Sequence, residues 1–187
     1  MQLSKIAKRP FLAYKFLNSL FLGLSMGSIF TIYAVLSPSV FSVGGIALAV
    51  GLLLIAKIYT KIINIEAFFK ISMFVEVVML ICVTYFLVTQ YDYVTALLVY
   101  AGYQISFVFG GYLVRAETVF MSRSKLLSLI DVAKQKGYLV GLAVSYLFYE
   151  TLKYFGIMSN QTQVYYLHFG LFVLQVFIIY YLYKAFR

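Results

Sequence analysis

Six apolar segments, at about residues 16–36, 43–60, 71–90, 93–121, 137–155 and 163–183, leave this chain few ways to fold. Each holds roughly 18–29 residues, and about 20 suffice to cross the hydrocarbon of a bilayer as a helix. None shows the strict alternation of a barrel strand. A backbone in lipid must satisfy its own hydrogen bonds, so helices are the remaining solution. Composition points the same way: 64% of residues are hydrophobic and 11% charged, against about 45–50% and about 25% in soluble domains. The expected fold is all-α, a single polytopic domain over residues 1–187 with six transmembrane helices. The first 15 residues are basic, but a full span without a small-residue cleavage site follows them, so no cleavable signal peptide is expected.

The breaks carry the usual punctuation: Ser37, Pro38 and Ser39 after the first segment, Gln90, Tyr91 and Asp92 after the third, and residues 156–163 before the last. Lysines and arginines fall almost entirely on one side of such a bundle. Lys5, Lys8, Arg9 and Lys15 precede the first span, and Lys57, Lys61 and Lys70 lie between the second and third. Arg123, Lys125, Lys134 and Lys136 lie between the fourth and fifth, and Lys184 and Arg187 end the chain. Only Lys153 falls on the other side, and Arg115 within a span. Positive residues mark the cytoplasmic face, so both termini are expected in the cytoplasm, in the inner (plasma) membrane. The net charge of +9 is then a topology signal carried by solvated residues, and no nucleic-acid partner is inferred from it. Cys82 is the only cysteine, which excludes an intrachain disulfide and a paired-cysteine metal site.

Of 12 glycines, ten sit in spans one, two, four and five. Span one repeats small residues every fourth position (Ser19, Gly23, Gly27, Thr31), as do span four (Gly102, Ser106, Gly110) and span five (Gly137, Gly141, Ser145); span two offers Ala47 and Gly51. Four-residue spacing puts them on one helix face, where backbones can approach closely. Spans three and six are instead bulky, as expected of lipid-facing helices. The order small, small, bulky, repeated once, reads as an inverted three-plus-three repeat, since halves of three spans must run in opposite directions.

In this pattern residues 16–183 resemble one six-helix half of a major facilitator superfamily transporter. Arg115 within the fourth span and the stretch KQKGYLVGLAVS at residues 134–145 are similar to features of that family, whereas its loop motif after the second helix is absent from residues 56–61. The resemblance implies that spans one and four line a substrate cavity, that spans two and five face the other half, and that three and six lie outermost. A chain with one half implies a homodimer or a second membrane subunit, and no cofactor.

Ionisable residues inside spans are the candidates for function. Arg115 and Glu117 are two apart and point to nearly opposite helix faces, so they cannot pair. Arg115 and Glu76 are each about 9 Å deep from the cytoplasmic side, so a Glu76–Arg115 pair is expected, either as a cavity element or as a structural bridge. Gln104 lies three turns outward of Arg115 on roughly its face and is expected to line the cavity further out; Tyr103 is deep enough either to line it or to pack in the core. Glu150 and His168, each about 8 Å from the outer face, could relay protons. Alternatively Glu150 pairs with Lys153 one turn on. Asn18 and Gln175 are expected to hydrogen-bond between helices. The sequence Gly23, Leu24, Ser25, Met26, Gly27 matches the serine-hydrolase elbow but lies within a helix, where the elbow cannot form. With no phosphate loop, metal-ligand cluster or paired catalytic carboxylates, no enzyme activity is expected. The expected function is a half-size permease moving a small or amphipathic solute by alternating access. The alternatives are a substrate-binding subunit of an energy-coupling-factor type transporter and a membrane assembly protein without cargo.

Overall fold

A computed structural model describes residues 6–89 and 91–187; Lys5 and Gln90 lie outside the described residues. The described residues form seven helices: α1 (Lys8–Tyr33), α2 (Pro38–Lys57), the single turn α3 (Tyr59–Ile62), α4 (Ile65–Val88), α5 (Tyr93–Phe120), α6 (Ser124–Tyr154) and α7 (Asn160–Ala185). No strand occurs among the described residues. Five helices, α1, α2, α4, α5 and α7, are long and apolar enough to cross a membrane, the mark of a multi-pass membrane protein. The sixth long helix, α6, is not among them; Glu150 and Lys153 stand in its apolar part, and further charged residues in its first half.

Local chemistry sets the helix ends. Pro38 occupies the first turn of α2, where its missing N–H is not needed and its fixed φ suits the helix. Asn64 Oδ1 accepts from the Ala67 N–H at 2.8 Å and starts α4. Asp92 Oδ1 accepts from the Thr95 N–H at 2.8 Å and starts α5, a bond that holds the Asp92 carboxyl below its usual range. Gly156, at φ 81°, takes the left-handed turn that ends α6, with the Ile157 N–H reaching back to Leu152 O at 3.0 Å. Five of the long helices start earlier than hydropathy indicates, α1 at Lys8 and α6 at Ser124 by the widest margins. Charged residues end an apolar run without ending a helix, and no proline or glycine interrupts 124–136.

The helices pack in the order α6, α1, α7, α4, α5, α2. Antiparallel pairs form the middle. Phe11 of α1 meets Phe186 just beyond α7. Glu76 of α4 meets Gln175 of α7, and Phe74 of α4 meets Phe109 of α5. The outer pairs are parallel. Along α1 and α6, Gly137 lies on Phe16 and Leu20, Gly141 on Leu20 and Gly23, and Ser145 donates to Leu24 O. Along α2 and α5, Gly44 lies on Tyr100 and Gly51 on Val108. The two ends of the described chain meet: the Ala7 N–H donates to Ala185 O at 2.8 Å, beneath a cluster of Phe11, Phe68 and Phe186.

Burial inverts one expectation. The bulky helices α4 and α7 supply much of the core, with Phe68, Phe86, Leu171, Ile178 and Leu182 at most 2% exposed. The glycine-rich α2 has no buried residue. Small residues mark where a backbone can be approached, not which helix is enclosed by this chain. The α1–α6 seam uses its glycines fully, whereas Gly110 has nothing within 4 Å of where a Cβ would stand. Ser25 is 1% exposed and donates to Leu22 O at 3.2 Å within its own helix.

Candidate functional site

Close packing of α1 against α6 and α7 on one side, and of α4 against α5 on the other, leaves α1 and α5 nearly apart. A pocket of about 340 Å³ fills the gap. Tyr14, Lys15 and Asn18 enter it from α1, Glu76 from α4, Tyr103 and Ser106 from α5, Lys134 from α6 and Gln175 from α7. Five of the six long helices thus contribute a polar group to one space.

Glu76 forms its floor, 2% exposed. Its Oε1 accepts from Tyr14 Oη and Asn18 Nδ2, each at 2.9 Å, and its Oε2 accepts from Gln175 Nε2 at 2.8 Å. Gln175 also donates to the backbone carbonyl of Glu76 at 2.9 Å, so α7 grips α4 at this residue. Every one of these donors is neutral, and no described cation comes within 4 Å of the carboxylate. The second acidic group behaves differently. Glu117 is 3% exposed and pairs with both Lys15 of α1 and Lys134 of α6. Lys134 also reaches the exposed Asp131 at 3.6 Å. Lys15 and Lys134 are therefore not solvated topology markers: their side chains are 12% and 25% exposed.

The expected Glu76–Arg115 pair does not form. Arg115 leaves α5 on the exposed face turned toward α3, its guanidinium 5.6 Å from the centre of the Tyr59 ring. Glu117 takes the opposite, buried face, as their spacing requires. Matching depth placed Glu76 and Arg115 level; helix rotation separates them. Gln104 shares the Arg115 side of α5 and lines another, largely apolar pocket of about 420 Å³ against α2. Its Oε1 is buried there without a hydrogen-bond partner among the described residues. Tyr103, one residue back, turns into the Glu76 pocket.

The outer pair is not assembled either. Glu150 is exposed and accepts from Lys153 Nζ at 2.7 Å. His168 is 4% exposed, donates through Nδ1 to Val164 O at 2.7 Å and stacks on Phe86 with ring centres 4.0 Å apart. An i−4 backbone acceptor and an aromatic plate occupy the imidazole, and a carboxylate on the exposed face of α6 cannot exchange protons with it. Among the described residues no group of three His, Cys, Asp or Glu could hold a metal.

Hydropathy missed Tyr14, Lys15 and Lys134, yet a signal was present. Lys15, Ser19 and Gly23 keep the four-residue spacing of the small stripe on α1, and Lys134 stands three before Gly137 on α6. A lysine in register with a packing stripe faces a neighbouring helix, not water. One consequence is testable at once. Arg115→Ala is expected to leave expression and insertion unchanged and to alter stability by only about 0.5 kcal/mol, the loss of one exposed cation–π contact. A thermal unfolding curve in detergent checks this; a shift as large as that of a core variant would place Arg115 in a buried pair after all.

Comparison of the chain with family models, with curated proteins and with solved structures returned no match.

Proposed function

We propose that the chain is a half-size membrane permease, resembling one major facilitator half, that works as a homodimer and moves a small or amphipathic solute by alternating access. The observation that carries this reading is the polar pocket between α1 and α5, whose floor is Glu76. Polar and ionisable groups at membrane depth are costly and mark solute or ion pathways. Spans one and four are the pair that the family resemblance assigns to the cavity, and α1 and α5 are those spans.

Three further features support it. The pair Ala7 and Ala185 puts both ends of the bundle together, in keeping with an even number of crossings. Because α6 runs parallel to α1 through Gly137, Gly141 and Ser145, we read it as a further span, the fifth in chain order, despite its two charged residues. Exchanging spans one, two and three with four, five and six also leaves the main packed pairs unchanged. It maps α1–α6 onto α5–α2, α1–α7 onto α5–α4, and α4–α7 onto itself. That is the behaviour of an inverted repeat. Finally, α2 has no buried residue and turns Val43, Ile46, Val50 and Leu53 outward, as expected of a helix that meets the other half. In this reading both termini face the cytoplasm of an inner-membrane protein.

Single-cysteine labelling tests the reading. In a Cys82→Ser background, Ser106→Cys places a thiol in the pocket. It is expected to react with membrane-impermeant maleimide added to either side of sealed vesicles. In the same background Val50→Cys is expected to crosslink to its own copy. A pocket thiol that reacts from one side only, together with a strictly monomeric chain, would overturn both the alternating access and the dimer.

A further inference from the structure

Arg115 takes no part in the Glu76 pocket, and its surroundings give it another task. The chain has six side-chain carboxylates, and each is engaged elsewhere. Glu66 pairs with Lys70 and Glu150 with Lys153, each at 2.7 Å. Glu117 holds Lys15 and Lys134, and Asp131 reaches Lys134 at 3.6 Å. Asp92 caps α5, and Glu76 accepts from Tyr14, Asn18 and Gln175. A guanidinium carries five N–H donors. That of Arg115 forms no ion pair among the described residues and meets only the face of Tyr59. Two more cations flank that ring in sequence: Lys57 ends α2 and Lys61 lies in α3. Both are exposed, and neither is in an ion pair among the described residues. The turn that carries Tyr59 and Lys61 is fixed to α5 beside Arg115. Tyr112 Oη donates to Ile62 O at 2.7 Å, and the rings of Tyr59 and Tyr112 are 6.1 Å apart.

Depth says which anion can reach this group. The 28 residues of α5 make a rod of about 42 Å, against about 30 Å of hydrocarbon and about 40–45 Å with the headgroups. Arg115 stands about 7.5 Å from the end of that rod at Phe120, where hydrocarbon gives way to lipid phosphates. A cation at this boundary with no carboxylate of its own chain takes its counter-charge from outside. The guanidinium fork matches two oxygens of one phosphate, and basic residues at a membrane surface favour anionic lipids. A zwitterionic headgroup would bring an ammonium of its own among these cations; an anionic one does not. We propose that Arg115, Lys57 and Lys61, grouped around Tyr59, bind the phosphate of an anionic phospholipid in the leaflet at this end of the bundle. The site is separate from the Glu76 pocket and does not depend on what that pocket carries.

The test is native mass spectrometry of the whole chain in a neutral detergent, titrated with dioleoylphosphatidylglycerol or dioleoylphosphatidylcholine, which share their acyl chains. The first glycerol lipid is expected to bind about tenfold more tightly than the first choline lipid, since each basic residue near the headgroup contributes about fivefold. Arg115→Gln is expected to lower that ratio about fivefold. The double variant Lys57→Gln, Lys61→Gln is expected to lower it at least as far. Lys136→Gln, which removes an exposed charge on α6, is expected to leave it unchanged. Equal affinity for the two lipids in the unaltered protein would overturn the proposal, and this comparison needs no variant to fold. A ratio that survives Arg115→Gln or the double variant would overturn it, and so would a ratio that Lys136→Gln lowers as much, because general surface charge would then be the cause. Binding of glycerol 3-phosphate as tight as that of the whole lipid would assign the site to a soluble anion and overturn the lipid.

Discussion

Gly141→Val is expected to be among the most damaging single substitutions, lowering stability by about 3 kcal/mol, the upper end for overpacking. A Cβ at Gly141 would stand 2.4 Å from Leu20 O and 2.9 Å from the Gly23 Cα, and both of those atoms are backbone. No rotamer change relieves such a contact, so α1 and α6 must separate. Separation also breaks the bond from Ser145 to Leu24 O and moves Lys15 and Lys134 relative to Glu117. Gly170→Val is the control, because nothing lies within 4 Å of its Cβ position. Cys82 is half-buried and the only thiol, so a thiol-reactive dye during a temperature ramp reports unfolding directly. Equal midpoints for the two variants would mean that the glycine seam does not hold these helices together.

The second large effect is expected at Glu117. Glu117→Ala leaves Lys15 and Lys134 facing each other in a space from which water is largely excluded, a loss of about 3–5 kcal/mol for a buried pair broken on one side. The lower end is expected here, because Lys134 is 25% exposed and keeps Asp131 at 3.6 Å. Removing the whole cluster reverses the sign of the argument. The triple variant Lys15→Met, Glu117→Leu, Lys134→Met buries apolar groups of similar size and is expected to be as stable as the unaltered protein or more so. The same thiol-dye ramp separates the cases. A triple variant no better than Glu117→Ala would show that the lysines contribute through something other than their charge.

Those two variants also mark what could be read from residues alone. The helices were legible because 18 or more apolar residues in a row have one solution in lipid. The small-residue faces of α1 and α6 were legible because glycine, serine and threonine at four-residue spacing mark a face that a backbone can approach; that these two faces meet each other, and that span five does not turn its stripe to another half, was not. Glu117 could be separated from Arg115 by angle alone. Rotation about the axis of each helix against its neighbours was not legible. Depth from the membrane surface counts residues along one helix and says nothing about which neighbour a side chain meets. For that reason Glu76 was assigned to Arg115 when Tyr14, Asn18 and Gln175 surround it. Exposure was misjudged for α2, α4 and α7 for a related reason: bulk and hydrophobicity describe what a helix can bury, while the fold decides which face finds a partner in the same chain.

The hydrogen bond between Ala7 and Ala185 has a consequence for how such a chain can grow. Because the polypeptide enters and leaves the bundle at one point, a second identical unit could be joined tail to head through a short tether without turning any helix upside down. A tandem concatemer would keep each unit's seams as they are. The single unit therefore already has the geometry that a gene duplication followed by fusion needs.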